Sequence, residues 1–552
     1  MARGWICLTD SKPESETSFA SLVDALGKLE RAWMEHGDGK DTWCTDWLRV
    51  SEDSDTTTEL KVQVAKSSLQ RMKSITKVLA SMLASLEESI DFVTEQSLNV
   101  VRSHGFSSLP DEIIARIFEL YHEGYAAPIG ECPSLGWGKS FRASNVLAQV
   151  NRHTRRIALH LPALWEYVPL KTRHFKEMVA NLNKRCQNPN IFINYTIFHK
   201  VNTSTSACAD FLRLLHPASQ WKGLNIIHRS GGPTCYGDVS TISSGKLDGL
   251  LDLRIYHHGE PWIPRMRPDE PSTNLSKHEL ALLSGWRLPA LNRLTLIHVI
   301  PARMDCPNIR ECHIALDYTR KNWDLFALRD FFGCIPQLES LSFSFHGVNI
   351  DTDSVYRLSA SITPVSLSRL EMLAMNITGA TEDAFLQCLL NLLDVSTISS
   401  LKISLTYKPN YAEPDDDRGN KWLKVIFNDE RRHAFPNVTE FWLSIRKGSV
   451  EYFPSHGYVM QFVPHVKSLV LDLPSCTEPS FLRIFESLGE LQTVRLHGCD
   501  LFEGDWIVRD LERVNQQKLA QIESFDIGGS LGLLKYKDDL ERVLGRKLVW
   551  KA

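Results

Sequence analysis

Apolar and polar residues alternate along this chain in three successive patterns. In the N-terminal region, apolar residues recur at gaps of three and four, first over residues 19–33 and again over residues 72–93. An average spacing of 3.5 residues is typical of the seam of a coiled coil. The polar residues 51–59 between the two runs predict a loop. We therefore predict a variable helix and polar loop over residues 1–57 and a long helix over residues 58–104.

These helical runs allow two interpretations. Each run covers only two to three heptads, so the second run can pack against the first in a helical hairpin or stand as a lone helix. The alternative is a coiled coil between two copies of the chain. The pattern permits homodimerisation, but a seam this short favours the hairpin or the lone helix.

The second pattern is a doubled apolar stripe on one predicted helix, in the stretch SSLPDEIIARIFELYHEG at residues 107–124. Pro110 suits the first turn of a helix, because its missing N–H would lack a partner there in any case. The two apolar rows are Ile113, Ile117 and Leu120, and beside them Ile114, Phe118 and Tyr121. An ordinary surface helix has a single apolar stripe. This helix is therefore predicted either to be buried in its own domain or to give one face to a partner.

A second amphipathic helix is predicted downstream of a loop, where apolar residues recur at Val146, Val150, Ile157 and Leu161. The segment closes with Leu164 and Trp165. The whole pattern, LPDEIIARIF…LAQVNRHTRRIAL…PALW, resembles an F-box, a three-helix module that binds a Skp-type adaptor. The wider arrangement, with a helix before the box and a repeat region after it, is similar to that of a large family of fungal F-box proteins.

The resemblance assigns residues 105–170 to an F-box and implies which side chains bind the adaptor. They are Leu109, Pro110, Ile113, Ile117, Phe118, Val150, Ile157 and Trp165. The chain departs from the family pattern in two places. Thr154 stands four residues after the valine, where the family usually has tryptophan, and the loop over residues 121–143 is longer than usual. Both departures bear on the details of the adaptor contact.

The third pattern is a repeat within residues 171–552. Its unit is a hexamer with apolar residues at positions one, four and six. The eleven copies begin at Trp221, Leu250, Leu291, Ile309, Leu338, Leu370, Ile398, Val438, Val466, Leu491 and Ile522. Most intervals are close to 29 residues, although one is only 18, which is too short for a strand and a full helix. Helical patterns lie between many of the copies.

One short strand and one helix per repeat is the signature of leucine-rich repeats. The predicted fold class is therefore α/β: N-terminal helices, then the three-helix F-box, then a curved, degenerate leucine-rich-repeat solenoid with parallel strands on its concave side. The repeat is degenerate because the asparagine that usually closes the turn is mostly absent.

The residue between the last two apolar positions of each hexamer is predicted to face the concave side, because side chains alternate along a strand. Most of these residues are small or polar, but one is Trp442. Arg495 is predicted near it along the arc, with His497 two positions further on the same strand. Binding energy concentrates in Trp, Tyr and Arg, so these three are the candidate target-binding residues. If the register slipped by one residue, Trp442 would instead belong to the core.

Composition argues against several classes of function. The net charge is −4 and the pI is near 6.6, so neither nucleic acid nor a membrane is an expected partner. No apolar run approaches the length of a bilayer span, and residues 1–16 lack the apolar centre of a secretory signal. The twelve cysteines show no metal-ligand spacing, and no HExxH or kinase signature occurs. We expect a non-catalytic protein of the cytoplasm or nucleus without a metal or other cofactor.

Two hypotheses about function follow from the resemblance. In the first, the protein is the substrate-recognition subunit of an SCF-type (Skp adaptor–cullin–F-box) E3 ubiquitin ligase. The F-box would bind the adaptor and through it a cullin, while the solenoid would hold an unknown target protein for ubiquitin transfer by other subunits. In the second, the chain is a scaffold outside any ligase and uses the F-box and repeats only for binding. The first hypothesis is favoured.

Overall fold

The computed structural model describes the chain in stretches. These are residues 58–104, 109–124, 136–169, 175–194, 206–215, 217–229, 235–258, 273–301, 303–317, 323–350, 363–406, 418–428, 435–446, 456–474, 481–499 and 504–551. The chain divides into two compact units, Met1–Pro110 and Asp111–Ala552.

The first unit contains one described helix, α1 (Thr58–His104). The predicted long helix is therefore present over the same residues. Apolar residues of its predicted seam are exposed, namely Leu83, Leu86, Ile90 and Val93. The earlier apolar run, over residues 19–33, lies outside the described residues.

The second unit begins with three short helices, α2 (Asp111–Glu123), α3 (Gly136–Leu147) and α4 (Arg152–His160). A 3-10 turn, Pro162–Trp165, follows them. The single amphipathic helix predicted across Val146 to Leu161 is wrong, because the chain ends one helix and starts another there.

Asn151 is the reason for this break. Its side-chain oxygen accepts a hydrogen bond from the backbone N–H of Thr154 at 2.8 Å, and the Thr154 hydroxyl accepts one from the backbone N–H of Asn151 at 3.1 Å. This reciprocal capping box satisfies two N–H groups at the start of α4. Thr154, which stands where the F-box family usually has tryptophan, is thus a capping residue in this chain.

Most of the second unit is built on one parallel sheet of fourteen strands, arranged in the order in which they occur along the chain. The strands are β1 (Tyr167–Pro169), β2 (Asn190–Asn194), β3 (Gly223–Arg229), β4 (Asp252–His258), β5 (Arg293–Ile297), β6 (Glu311–Asp317), β7 (Ser340–His346), β9 (Met372–Thr378), β11 (Ser400–Thr406), β12 (Glu440–Arg446), β13 (Ser468–Asp472), β14 (Thr493–His497), β15 (Ser524–Gly528) and β16 (Leu548–Lys551). A separate parallel pair is formed by β8 (Val365–Ser366) and β10 (Leu393–Asp394).

Helices connect most of these strands. They are α5 (Phe175–Asn183), α6 (Ser206–Leu214), α7 (Tyr236–Ser243), α8 (Lys277–Ser284), α9 (Leu325–Phe332), α10 (Asp383–Asn391), α11 (Arg418–Ile426), α12 (His456–Met460), α13 (Phe481–Ser487), α14 (Gly504–Arg513), α15 (Gln516–Gln521) and α16 (Lys537–Leu544). Between β5 and β6, which belong to the interval of 18 residues, the described residues contain no helix. The unit is therefore a mixed α/β structure.

All eleven predicted hexamers form strands of the sheet, and each strand begins at the third residue of its hexamer. The apolar positions four and six point to one side of the sheet and are buried, as at Phe441 and Leu443, which are 1% and 0% exposed. The hydrophobic core thus lies on this side, and we call the opposite side the polar face. Strands β1, β2 and β16 were not predicted from the hexamer pattern.

Candidate functional site

Helix α2 has two apolar faces with different surroundings. Ile114 and Phe118 are buried within the three-helix bundle, together with His122. Ile113 and Leu120, by contrast, are 48% and 52% exposed. The predicted row of Ile114 and Phe118 therefore faces inward, except that Tyr121 is exposed, and the row of Ile113 and Leu120 faces outward.

The bundle exposes further apolar side chains. Tyr121 is exposed, as are Val146 on α3 and Val150 after its end. Exposed apolar residues scattered singly are normal on a protein surface, but several on neighbouring helices of one small bundle indicate an interaction surface. We call Ile113, Leu120, Tyr121, Val146 and Val150 the outward apolar surface.

Polar contacts hold the three helices in this arrangement. Asp111, at the start of α2, pairs with Arg156 of α4 at 2.8 Å and lies 3.2 Å from His153. The Ser144 hydroxyl of α3 donates to the carbonyl oxygen of Leu164 at 2.7 Å. These contacts tie all three helices and the closing turn together, so the exposed row is fixed on a packed scaffold.

The predicted adaptor-binding residues fall into different environments. Ile113 and Val150 are exposed and Ile117 is half-buried. Phe118, Ile157 and Trp165 are buried, and their side chains lie in the interior of the bundle. Leu109 and Pro110 end the first unit.

Trp165, one of the buried residues of this set, stabilises the bundle. Trp165 is 2% exposed, and its indole N–H donates to the carbonyl oxygen of Ala158 in α4 at 2.7 Å. The guanidinium of Arg185 lies 4.5 Å from the centre of its ring. Trp165 therefore anchors the end of the bundle immediately before β1.

The polar face of the sheet carries the second group of candidate residues. Strand pairing aligns one row of side chains across eleven strands: Asn225, Arg254, Thr295, His313, Ser342, Ala374, Lys402, Trp442, Val470, Arg495 and Asp526. Trp442 is 39% exposed on this face. The slipped register that would bury Trp442 in the core does not occur.

The structure brings the three predicted residues of this face together. The rings of Trp442 and His497 are nearly parallel, with centroids 6.5 Å apart and 19° between their planes. Arg495 follows Val470 in the row and is exposed. The ammonium of Lys402, on the neighbouring strand, lies 5.7 Å from the centre of the Trp442 ring, within the range of a cation–π contact. Lys402 was predicted to lie in this row but was not predicted as a binding residue.

Two buried carboxylates lie among these residues. Asp472 is 5% exposed. It accepts hydrogen bonds from the Ser444 hydroxyl at 3.0 Å and from the Arg446 guanidinium at 2.6 Å. The guanidinium of Arg446 is thereby held on the polar face, although most of its side chain is exposed. Charge-assisted bonds of this kind fix geometry as well as adding stability.

Asp526 is a second carboxylate of this kind and lies two strands further along the sheet, on β15. Its carboxylate lies 2.6 Å from the ammonium of Lys551 and 3.5 Å from the guanidinium of Arg495, and it accepts a hydrogen bond from Ser524. Burial alone would raise the pKa of Asp526, but the hydrogen bonds from Lys551 and Ser524 and the charge of Arg495 hold that pKa below its ordinary value. Asp526 therefore stays ionised at neutral pH.

A polar hollow of about 100 Å³ lies further along the same face and was not predicted. It is lined by Asp252, Arg254, Arg293, Leu294, Thr295, Glu311, Cys312, His313, Ser340 and Ser342. Arg254 is bound to Asp252 at 2.9 Å, so its charge is neutralised locally. His313 is buried beside Ser342, 3.1 Å from its hydroxyl, and burial lowers the pKa of the imidazole to about 4. The hollow therefore contains a neutral histidine at physiological pH.

Two further features resemble a metal site and a catalytic motif. His228 lies 3.4 Å from Glu279 with its ring 5.0 Å from that of His257, yet the described residues contain no group of three or more His, Cys, Asp and Glu placed to hold a metal ion. The stretch Gly528–Gly532 matches the Gly-x-Ser-x-Gly pattern of hydrolases, which was not predicted as a site. Ser530 is buried there, and its hydroxyl oxygen accepts from the backbone N–H of Cys499 at 3.0 Å, so it supports a turn.

No protein-family model matches the sequence, and no curated protein is similar to it at a significant level. Among the described helices, none combines the length and the apolar character that a membrane span requires.

Proposed function

We propose that this protein is the substrate-recognition subunit of an SCF-type E3 ubiquitin ligase. In this proposal the three-helix bundle at Asp111–Trp165 is an F-box that binds a Skp-type adaptor, which in turn contacts a cullin. The chain itself is not catalytic. Its contribution is proximity, since the target is held near the subunits that transfer ubiquitin.

The observation that carries the proposal is the division of helix α2 into two apolar rows. A helix that only builds its own bundle needs one apolar row. The second row leaves Ile113 and Leu120 exposed to water, and Tyr121 is exposed as well. Burying such half-exposed side chains against a partner is favourable by roughly 1 kcal/mol for each large residue, which is consistent with an adaptor-binding surface.

The sheet supplies the other half of the proposal. We propose that it is a degenerate leucine-rich-repeat solenoid, curved so that the polar face is concave and receives the target. Parallel strands arranged in chain order and connected by helices support this assignment. Trp442, Arg495 and His497 are the proposed target-binding residues, and their grouping on one face supports that role.

Adaptor binding can be tested by pull-down of a purified Skp-type adaptor with the full chain. Ile113→Asp places a charge on the outward apolar surface and should abolish the interaction. Leu534→Asp introduces the same charge at an exposed apolar residue outside the bundle and should leave binding intact. Replacing Leu109 and Pro110 together by alanine should also abolish binding. Retention of the adaptor by Ile113→Asp would contradict the proposal.

A second experiment, in which a cullin is added to the adaptor complex, distinguishes the ligase hypothesis from the scaffold hypothesis. If the protein acts in a ligase, a cullin added to the adaptor complex should be retained, and Ile113→Asp should lose both partners together. A complex that keeps the adaptor and excludes the cullin would instead favour the scaffold hypothesis.

A further inference from the structure

Among the described strands β11 to β16, the exposed charges of the polar face are nearly all positive. Four cationic side chains of these strands are exposed there: Lys402, Arg446, Arg495 and Lys551. The two aspartates among them, Asp472 and Asp526, are only 5% and 6% exposed. The two carboxylates therefore orient Arg446, Arg495 and Lys551 from the buried side, and all four cations are presented to solvent.

This local charge is opposite in sign to that of the whole chain, whose net charge is −4. Glu440, at the start of β12, is the one exposed carboxylate that the described strands β11 to β16 place on this face. We call Lys402, Trp442, Arg446, Arg495, His497 and Lys551 the Trp442 surface. A patch whose exposed charges are mainly cationic, with a large aromatic side chain on the second of its six strands, is suited to a partner that is acidic and partly apolar.

The size of the Trp442 surface limits the length of such a partner. Lys402 and Lys551 lie on strands that are five pairing steps apart, β11 to β16. Neighbouring strands are about 4.8 Å apart, so the surface extends roughly 24 Å across the sheet. An extended peptide advances about 3.3 Å per residue and would cover this distance with about seven residues.

We propose that the Trp442 surface binds an acidic segment of the target, about seven residues long, that places one apolar or aromatic side chain against Trp442. The proposal rests on the proposed function for the idea that this face holds a target. Its chemistry rests on the contacts described here: the cations pair with the acidic residues, and Trp442 provides the apolar anchor.

A single-stranded nucleic acid is a second kind of acidic, aromatic ligand. The protein segment is favoured because the overall negative charge of the chain repels a long polyanion. A short acidic segment needs only the local cations. An oligonucleotide therefore belongs in the test as a competing ligand.

Binding can be measured by fluorescence anisotropy with the full chain and a labelled eight-residue peptide of Glu and Asp around one central Phe. Three further probes are needed: the same peptide with Phe replaced by Ala, a peptide with Lys at every acidic position, and an eight-nucleotide oligouridine. The acidic peptide with Phe should bind most tightly, and its Kd should rise with salt because the pairing is electrostatic.

Variants of the protein locate the site. Trp442→Ala should weaken binding of the Phe peptide at least tenfold and should no longer distinguish it from the Ala peptide. Trp442→Phe keeps an aromatic ring and should retain most of the affinity. Lys402→Glu should weaken binding severalfold, whereas Lys424→Glu, the same change at an exposed position of helix α11, should have no effect. Circular dichroism of each variant shows whether it is folded.

The proposal is overturned if the Lys peptide or the oligouridine binds as tightly as the acidic peptide, or if folded Trp442→Ala and Lys402→Glu bind like the wild type. The adaptor pull-down, run on the same protein, keeps this result separate from the proposed function. Adaptor binding without peptide binding would overturn this inference alone. Peptide binding without adaptor binding would support the surface and contradict the ligase assignment.

Discussion

Neighbouring residues of helix α2 have opposite roles, although their side chains are chemically alike. Ile113 is 48% exposed, and Ile114 is 0% exposed. The sequence shows that two apolar rows exist, but it does not show which row faces inward. That choice depends on the placement of α3 and α4, which is a property of the tertiary structure.

The two isoleucines should respond differently to the same substitution. Ile114→Ala removes buried methyl groups and leaves a cavity, so we expect it to lower the free energy of unfolding by about 2–5 kcal/mol. Ile113→Ala should lower it by less than about 1 kcal/mol. Urea denaturation of both variants measures the difference, and equal losses would show that both rows are buried.

His313 should make the stability of the sheet depend on pH. Its pKa is lowered to about 4 in the folded protein, whereas an unfolded histidine titrates near 6.5. As the pH falls from about 6.5 towards 4, the unfolded chain gains the proton first, so this residue destabilises the fold. From pH 7 to pH 5 the loss should be about 2 kcal/mol.

Comparison with His313→Gln isolates this contribution from that of the other histidines. The variant should lose less stability than the wild type between pH 7 and pH 5 in urea denaturation. His278→Gln, at an exposed position of helix α8, should lose as much as the wild type. Identical pH dependence in His313→Gln would contradict the prediction.

At the level of elements, the hexamer pattern predicted eleven strands correctly, because its apolar positions are the residues buried on one side of the sheet. The apolar residues at positions four and six of every hexamer are buried, and a period of two is a local property that a sequence displays directly. Strands β1 and β16 were not predicted because the same period of two is not visible in them. Strand β1 has only three residues and includes Pro169, and β16 has only four, so neither shows enough alternation.

The candidate site was only partly predictable. Trp442 was found because it interrupts a row of small and polar residues within its own hexamer series. Lys402 was predicted to lie in this row but not to bind the target. Lys551 was missed because its strand, β16, does not show the hexamer pattern. Arg446 lies four residues after Trp442 on the same strand, so the period of two would have placed it on this face. The capping residues Asn151 and Thr154 did leave a local signal, which would have placed the helix boundary correctly.

The last strand of the sheet should be sensitive to acid through Asp526. The pKa of this carboxyl is below its ordinary value, so the stability it contributes is present above about pH 4 and is lost as the pH falls through the folded pKa. Lys551→Met should therefore cost about 1 kcal/mol at pH 7. That cost should shrink towards zero at pH 3.

Urea denaturation of the wild type and Lys551→Met at the two pH values provides the measurement. Lys424→Met, on helix α11, is the control for loss of a lysine elsewhere and should show no such pH dependence. If the cost of Lys551→Met were the same at pH 3 as at pH 7, the ion pair would not be its source.

At the scale of the whole molecule, the chain consists of two units with the boundary at Pro110. A fragment of residues 105–552 keeps the complete second unit and should fold on its own. Its melting temperature should lie within a few degrees of the corresponding transition of the full chain. A fragment that fails to fold would show that α1 is needed for the second unit.

The same fragment tests the coiled-coil interpretation of α1. Light scattering coupled to gel filtration gives the mass of the full chain and of the fragment. We expect both to be monomers. A dimeric full chain and a monomeric fragment would show that the exposed seam of α1 joins two copies.

The order of the strands also has a consequence for synthesis. Each strand pairs only with the strands before and after it in the sheet, so pairing can proceed from β1 onward while the chain emerges from the ribosome. More than 200 residues separate Trp165 from Lys402, which at about 5–20 residues per second corresponds to roughly ten seconds or more. The helical bundle is then complete well before the residues around Trp442 exist. Under the proposed function, we expect a nascent chain to bind the proposed adaptor before it can hold a target.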